Sequence, residues 1–466
     1  MPATSLNIGG GALAAALLLA AGCTVPPPPP LRTPPPPAPA DTNADAGVAS
    51  PLPAAWWTAF GDPELTRLVG LAQAENRDLA QAAARLDAAR ARAKIAGADA
   101  ALQVTGSADA ARQRTSERTA VQTGHNYASQ VGGALGFSYE VDLWGRIKAA
   151  RAAAEKEVVL TAAERAAAEV SLLAEVARQH LTRLALRRER AVVDEQIARF
   201  AETERLQAVR VDSGFATELD LQRTRVERAS AEGEREQLRQ REQACSYALA
   251  LLCGQAAGAA SGRDAPPVAI AVPTVPRTLP LALLEARPDV AARRAAWEAA
   301  AQRVRVAHAD RLPTLRLTGA FGYASQYPDD LLNWQSRLWS LTAGLTAPLL
   351  DGGRLRANLD LARAQLREAA ASYESSVLTA YREVADALNA LEALAGQHAA
   401  AERAREASRR ALSLARERYE KGFATYLDVV ESDRSLLSAQ RTLVRLEGER
   451  QCATVSLIQA MGINSN

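Results

Sequence analysis

Four segments of the chain alternate apolar and polar residues with a period of two. They are residues 102–114, 126–143, 314–327 and 337–349. Strict alternation places one face of a strand in an apolar environment and the other in water, so the pattern predicts four β-strands. Segments near ten residues long fit strands of a membrane barrel, and aromatic residues cluster in and beside them, as in the girdles of such barrels. The alternative is a pair of soluble hairpins half buried against helices.

Helical patterns surround each pair of predicted strands. Shorter helical stretches precede the strands, over residues 63–98 and 281–309, and long helical hairpins follow over 146–253 and 354–461. The long runs are rich in Ala, Leu, Glu and Arg, which are strong helix formers. Helices of this length are rare in globular domains, so the pattern favours an elongated membrane-associated architecture over the soluble alternative.

The tetrapeptide GFAT occurs twice, at an offset of 208 residues, and neighbouring motifs recur at almost the same offset. The two copies are Gly214, Phe215, Ala216 and Thr217, and Gly422, Phe423, Ala424 and Thr425. So long a period indicates an internal duplication and not a solenoid. We expect a first repeat over 56–262, a linker over 263–280 and a second repeat over 281–462. Each GFAT should be a helix-to-helix turn, with Gly ending one helix and Thr capping the next.

Four strands cannot close a transmembrane barrel, because single-chain barrels have at least eight and open edges are not tolerated in lipid. The strands must therefore combine with those of other copies. The sequence thus predicts an oligomer, and three copies supply 12 strands around a lumen.

The N-terminus has the organisation of an export signal. Residues 1–22 hold an apolar run too short to span a bilayer, followed at once by Cys23. This pattern resembles a lipoprotein signal peptide with Cys23 as the lipidated first residue, although no Lys or Arg precedes the apolar run. A plain cleaved signal is the alternative. Residues 23–55 are proline-rich and are expected to form an extended tether, with a partner-binding proline motif as the alternative.

Composition removes several classes of function. With 55 basic and 53 acidic residues the chain has no net basic face of the kind that binds nucleic acid. The histidines and cysteines lack the spacing of a metal or nucleophile site, so we expect no cofactor and no enzyme activity. Cys245, Cys253 and Cys452 are interpreted as small buried residues.

Several longer motifs resemble the TolC/OprM-type outer-membrane factors, in the lipoprotein branch that serves resistance-nodulation-division efflux pumps. The motifs are WWTAFGDPELTRLVGLA (56–72), NRDLAQAAARLDAAR (76–90), EVDLWGRIKAAR (140–151), LEARPDVAAR (284–293), LLDGGR (349–354) and the two GFAT turns. The resemblance implies a mixed α-helical and β-barrel membrane protein. Its trimer forms a 12-stranded outer-membrane β-barrel continuous with a long periplasmic α-helical barrel. It also implies partners, namely outer-membrane lipid, a periplasmic adaptor protein and an inner-membrane transporter.

The same resemblance implies roles for residues at the GFAT turns. The eight GFAT residues match the periplasmic tips that dock the adaptor, with a turn that binds no partner as the alternative. Asp428 and Glu431 share a helix face and match carboxylates that ring the closed pore, although such pairs more often face solvent. Asp220 and Tyr419 match positions that hold the closed tip by hydrogen bonding. An arginine that assists in some members is replaced here by Ala424.

The expected function is passive conduction of drugs or other small molecules from periplasm to exterior. Three alternatives have different requirements. A type I secretion duct would share the fold, but the lipoprotein signal and the LEARPDV segment favour efflux. A periplasmic coiled-coil lipoprotein without a pore would need no alternating aromatic segments. A periplasmic adaptor would carry a lipoyl-like β-domain and usually a single hairpin.

Overall fold

The architecture comes from a computed structural model, which describes residues 31, 55–114, 116, 118, 127–258 and 287–463. The predicted signal peptide, Cys23, most of the tether and the linker 263–280 lie outside the described residues. The chain divides into two compact units. One contains Asp87–Leu160 and Arg293–Glu374, and the other contains Pro34–Leu86, Thr161–Ala292 and Ser375–Asn466.

The first unit contains a four-stranded sheet. Its strands are β1 (Gln103–Arg114), β2 (Tyr127–Val141), β3 (Thr314–Ser325) and β4 (Arg337–Thr346). All neighbours are antiparallel in the order β1-β2-β3-β4, which leaves β1 and β4 as the edges. Val104 pairs with Phe137, and Leu135 pairs with Phe321. The register therefore collects the alternating apolar residues of successive strands on one face, as the sequence predicts.

Each strand pair leads into a helix of 67 residues, α3 (Arg146–Asp212) or α6 (Arg354–Glu420). An aspartate caps each helix start. Asp142 accepts hydrogen bonds from the amides of Ile147 (3.1 Å) and Lys148 (2.9 Å). Asp351 accepts from the amides of Gly353 (3.0 Å) and Leu355 (2.7 Å). These bonds satisfy amides that have no partner within the helix, which explains why the long helices begin at DLWGR and DGGR.

The other α-helices of the described residues are α1 (Pro63–Glu75), α2 (Arg77–Ala98), α4 (Glu218–Leu252), α5 (Pro288–Ala309) and α7 (Tyr426–Ala460). The helical stretch expected over 63–98 is thus two helices, separated at Asn76, whose backbone is extended. The Asn76 side chain accepts from the amide of Leu79 (2.9 Å) and donates to the carbonyl of Leu252 (2.9 Å). Asn76 therefore caps α2 and ties its start to the end of α4.

Both long hairpins are held by apolar residues along their seams. Val193 and Phe200 of α3 pack with Ala231 and Leu238 of α4. In the second repeat Ala401 of α6 packs with two leucines of α7, Leu443 and Leu446.

The expectation of three buried cysteines is wrong for two of them. Cys253 is buried, but Cys245 and Cys452 are partly exposed. At ~100° per residue, the eight-position step from Cys245 to Cys253 turns an ideal helix by about 80°, so the two side chains point in different directions around α4.

The start of α1 is anchored by a buried polar pair. His180 of α3 is 1% exposed, and its Nε2 lies 2.7 Å from Oδ2 of Asp62, the N-cap of α1. Burial acts to raise the Asp62 pKa, but the hydrogen bond and charge of His180, together with the backbone amides of Glu64 and Leu65, hold that pKa below its usual value. His180 is therefore a satisfied core histidine.

Across the described part of the chain, no helix has both the length and the apolar character needed to span a membrane.

Candidate functional site at the two helix-turn-helix tips

The two GFAT turns have nearly the same backbone. Gly214 and Gly422 adopt φ of +75° and +76°, a region that favours glycine. The amide of Phe215 donates to the carbonyl of Arg210 (2.7 Å), and that of Phe423 donates to the carbonyl of Arg418 (2.8 Å). These bonds close each helix end and turn the phenylalanine outward, where Phe215 is 80% and Phe423 is 74% exposed. Each tip therefore presents one large apolar side chain to solvent.

The helix caps after the two turns differ. Thr425 and Asp428 form a complete capping box, because the Asp428 carboxylate accepts from the Thr425 amide (2.8 Å) while the Thr425 hydroxyl accepts from the Asp428 amide (3.4 Å). In the first repeat Thr217 accepts from the Asp220 amide (3.3 Å) and its hydroxyl donates to the Asp220 carboxylate (2.7 Å). This described turn lacks the hydrogen bond from the Thr217 amide to the Asp220 carboxylate that would complete the capping box.

A chain of four side chains joins the two hairpins just above the turns. The guanidinium of Arg210 lies 5.5 Å from the ring centroid of Tyr419 and donates to its hydroxyl (3.3 Å). The Tyr419 ring lies 5.7 Å from that of Tyr426, whose hydroxyl is 3.0 Å from the Thr224 hydroxyl. Burial raises the pKa of Tyr426, so its phenol stays neutral over the physiological range. We call Arg210, Tyr419, Tyr426 and Thr224 the tip link.

The link includes Tyr419 but not Asp220, the other residue expected to hold the tip. Asp220 is engaged by Thr217 and lies 3.9 Å from Arg223 of its own helix. Tyr419 is engaged by Arg210 and Tyr426 instead. Arg210 of α3 brings a guanidinium to Tyr419. The contact between the hairpins is thus made by a different set of residues.

The two carboxylates matched to the pore constriction lie near the start of α7 and are both exposed. Asp428 uses Oδ2 for both bonds to Thr425, which leaves Oδ1 outside the capping box. The side-chain hydrogen bond from Thr425 is the largest of the effects that lower the Asp428 pKa. Glu431 lies 3.3 Å from Arg434. Asp428 is therefore ionised at neutral pH and keeps one oxygen available to the solvent side.

Further contacts between the hairpins lie above the tip link. Arg434 of α7 is 3.5 Å from Glu227 of α4, and buried Gln196 of α3 donates to Asp433 of α7 (3.4 Å). Arg441 of α7 donates to Glu189 of α3 (2.7 Å) and also pairs with Glu234 of α4. The second hairpin is therefore tied to the first at several levels.

Sequence reasoning missed Arg210, Thr224 and Tyr426. A signal for Tyr426 was present, since the repeats agree through GFAT and then differ at once, with Glu218 in the first and Tyr426 in the second. A large aromatic residue at an exposed helix start needs a packing partner, and the neighbouring hairpin supplies it. Arg210 carried no such signal, because Arg418 occupies the matching position of the other repeat.

Within the residues that the structure describes, no group of three or more His, Cys, Asp or Glu side chains is arranged to hold a metal ion. The tips consequently offer packing, hydrogen bonding and charge as their means of action.

Comparison with known proteins places this geometry in a family. Residues 68–255 and 279–463 match the family described as outer membrane efflux protein. OprJ of Pseudomonas aeruginosa is 36% identical over 417 residues, covering 87% of this chain and 85% of the relative. The pyoverdine export protein OpmQ of Pseudomonas putida is 34% identical over 420 residues, covering 87% of both chains. The crystal structure of the outer membrane protein VceC of Vibrio cholerae superposes with a TM-score of 0.82 at 30% identity, covering 88% of this chain and 99% of that one.

Proposed function

The chain belongs to the outer membrane efflux protein family, and from this premise we propose how its two tips work. It is an outer-membrane channel component of an efflux system and extends into the periplasm. The fold class expected from the sequence is confirmed, since the solved relatives are trimeric channels with a helical barrel and a sheet. The family is one of channels and not of enzymes.

The proposed assembly is a homotrimer that meets a periplasmic adaptor at the six GFAT turns and is driven by an inner-membrane resistance-nodulation-division transporter. The observation that carries this proposal is the pair of matching turns, each with an exposed phenylalanine beside small residues. Small residues allow a partner helix to approach closely, and a large aromatic residue supplies an anchor for a hot spot.

The closed state is proposed to be held by the tip link, which ties the second hairpin to the first. Arg210→Ala removes both the stacking and the hydrogen bond to Tyr419. Arg418→Ala is the matched control, because Arg418 occupies the same position of the second repeat and is exposed. In planar bilayers, Arg210→Ala is expected to raise single-channel conductance severalfold while Arg418→Ala stays near the parent protein. Equal conductance of all three proteins would remove the tip link from gating.

Asp428 and Glu431 are proposed to form acidic rings at the closed end of the lumen. Two variants separate this role from helix capping. Asp428→Asn removes the charge but keeps an acceptor for Thr425, whereas Asp428→Ala removes both. Asp428→Asn is expected to reduce cation selectivity and block by divalent cations, as expected for a charged ring. If only Asp428→Ala alters the channel, Asp428 acts through the cap and the acidic ring is rejected.

Cys23 is proposed as the lipidated first residue of the mature chain, held to the membrane through the proline-rich tether. Labelled palmitate should enter the parent protein and not Cys23→Ser. Label in both would place the acyl chain elsewhere.

The duct is proposed to conduct whatever its transporter delivers. OpmQ is named for pyoverdine export, and it shares 34% identity with this chain along nearly its whole length. The described tip residues offer only general apolar and acidic chemistry, and selection of cargo is therefore assigned to the transporter.

A further inference from the structure

The apolar face of the sheet changes character at one end. The positions of β1 that share this face run from Val104 through Ala108 and Ala110 to Arg112 and Arg114. Ala110 pairs with Val131, the last apolar pair before the loop that joins β1 to β2. Two arginines therefore lie on the otherwise apolar face, within the last three residues of β1.

The second hairpin repeats this feature. Arg337 is the first residue of β4 and pairs with Tyr323 on the same face, while Trp339 and Leu341 continue that face along the strand. Both hairpins thus place arginine on the apolar face at the end where their own two strands are joined. We call Arg112, Arg114 and Arg337 the arginine collar.

Aromatic rings hold two of these arginines in place. The Arg114 guanidinium lies 5.4 Å from the ring centroid of Tyr127, and that of Arg337 lies 3.9 Å from the centroid of Trp334. Arg337 also donates to the Trp334 carbonyl (3.3 Å). A guanidinium that stacks on an aromatic ring can still donate hydrogen bonds through the N–H groups in its own plane. Stacking also restricts the conformations of the arginine side chain, so less conformational freedom is lost when a ligand binds.

The collar differs from the arginine at the opposite end of the sheet. Arg316 lies on the polar face and has Glu140 as a partner at 3.5 Å. Among the described residues, Arg112 and Arg337 have no carboxylate within the 4.0 Å of an ion pair. Asp330 of the β3–β4 loop instead accepts from Asn333 (2.8 Å). Arg112 and Arg337 therefore present positive charge that the described parts of the sheet do not neutralise.

The collar lies at the exterior end of the strands. The far end of each strand continues into a helix, and the chain extends from the outer membrane into the periplasm. A cation on the lipid face is costly at the bilayer centre but tolerated near the interface, where head groups lie. Guanidinium groups bind phosphate oxygens in a bidentate manner.

We propose that the arginine collar binds the phosphate groups of anionic lipid in the outer leaflet. The ligand class is a phosphorylated lipid head group, and the apolar residues below the collar contact its acyl chains. This role goes beyond conduction and would fix the height of the sheet in the membrane.

The test uses the full detergent-solubilised protein and native mass spectrometry, with bisphosphorylated lipid A as the probe. The probe should bind more tightly than its dephosphorylated analogue. Replacing Arg112, Arg114 and Arg337 by Gln should weaken lipid A binding by about fivefold per arginine, since each cation near an anionic lipid surface contributes about that factor. The matched control is Arg316→Gln, which removes an arginine from the other face and should bind lipid A as the parent does.

Folding of the triple variant is checked by oligomer mobility and circular dichroism. A folded triple variant that binds lipid A like the parent would overturn the proposal, as would equal binding of the dephosphorylated analogue by the parent. Competition with free inorganic phosphate distinguishes the source of the ligand. Displacement of lipid A by millimolar phosphate would indicate a general anion site and contradict recognition of lipid.

Discussion

The two repeats make corresponding contacts with different side chains. We call the second helix of each long hairpin, α4 or α7, its return helix, and the ends of these two helices show the difference most clearly. At the end of α4 the Leu252 carbonyl accepts from Asn76 (2.9 Å), and at the end of α7 the Ala460 carbonyl accepts from Arg287 (2.7 Å). A neutral amide in one repeat thus does the work of a buried arginine in the other. Duplication preserved the requirement to cap a helix end but not the residue that meets it.

The tips differ in the same manner. Both keep the turn and the exposed phenylalanine, but of these two described turns the second has a complete capping box and the first does not. Tyr426 of the second repeat joins the tip link, and the first repeat has Glu218 at the matching position. The second hairpin therefore has one more cap hydrogen bond at its tip, and it carries the aromatic part of the connection. Opening of the duct should therefore depend on residues of both repeats, Arg210 and Thr224 from the first and Tyr419 and Tyr426 from the second.

The largest expected effect is at the glycines that follow the return helices. Gly254 and Gly462 both have φ of +67°, and an added Cβ at Gly254 would lie 2.3 Å from the backbone oxygen of Glu75. At Gly462 the nearest atom is a side-chain atom, Cγ of Arg287 at 2.5 Å, and the backbone Cα of Arg287 follows at 3.1 Å. Gly254→Ala should cost about 3 kcal/mol, from the left-handed backbone and the overlap, and Gly462→Ala about 2 kcal/mol. Melting of the purified oligomer checks the order, and a larger loss for Gly462→Ala would reverse this comparison.

Next come the two capping side chains. Arg287 is 6% exposed and also pairs with Asp289 and Glu383 (2.7 Å to the latter). Because both carboxylates are about half exposed, the loss in Arg287→Ala is discounted to about 2 kcal/mol. Asn76→Ala removes two hydrogen bonds of a neutral group and should cost about 1 kcal/mol. Thermal unfolding of both variants measures the two losses of stability. Equal losses would mean that the ion pairs of Arg287 with Asp289 and Glu383 add nothing to its hydrogen bond with Ala460.

A smaller effect separates the two caps at the tips. Asp428→Ala should lower the melting temperature more than Asp220→Ala, because the former dismantles a complete capping box. The folded pKa of Asp428 is depressed, so its contribution is fully present above the unfolded pKa and is lost as pH falls through the folded pKa. The difference between the variants should therefore shrink below about pH 4. A difference that stays unchanged at a pH below the folded pKa of Asp428 would point to packing and not to the charged cap.

The smallest effect on stability is expected at the exposed phenylalanines. Phe215→Ala and Phe423→Ala should each change the free energy of unfolding by less than about 0.5 kcal/mol, since neither ring is buried. Both should weaken binding of the cognate adaptor, by tenfold or more if the rings are anchors. Affinity of each variant for the immobilised adaptor measures this, with Leu414→Ala as an exposed apolar control away from the turns. Unchanged affinity in both variants would leave the turns as conformational features alone.

The sequence by itself determined the periodic parts of this protein. Alternation specified the strands and their apolar face, and long runs rich in Ala, Leu, Glu and Arg specified the two long helices. The duplicated GFAT specified the turns, because each feature depends on residues close together in the chain. The sequence also predicted an oligomer, because a sheet of four strands needs the strands of other copies to close a membrane barrel.

Only the tertiary structure decided which side chains meet across the hairpins. Arg210 and Tyr419 are 209 residues apart, and Thr224 and Tyr426 are 202 apart, so no local pattern links them. Asp220 illustrates the limit, since its carboxylate is engaged by Thr217 while Arg210 contacts Tyr419. Helix periodicity shows which residues belong to the packed face of a helix, but not which of them contact each other across two helices. Those contacts depend on how one packed hairpin is rotated against the other.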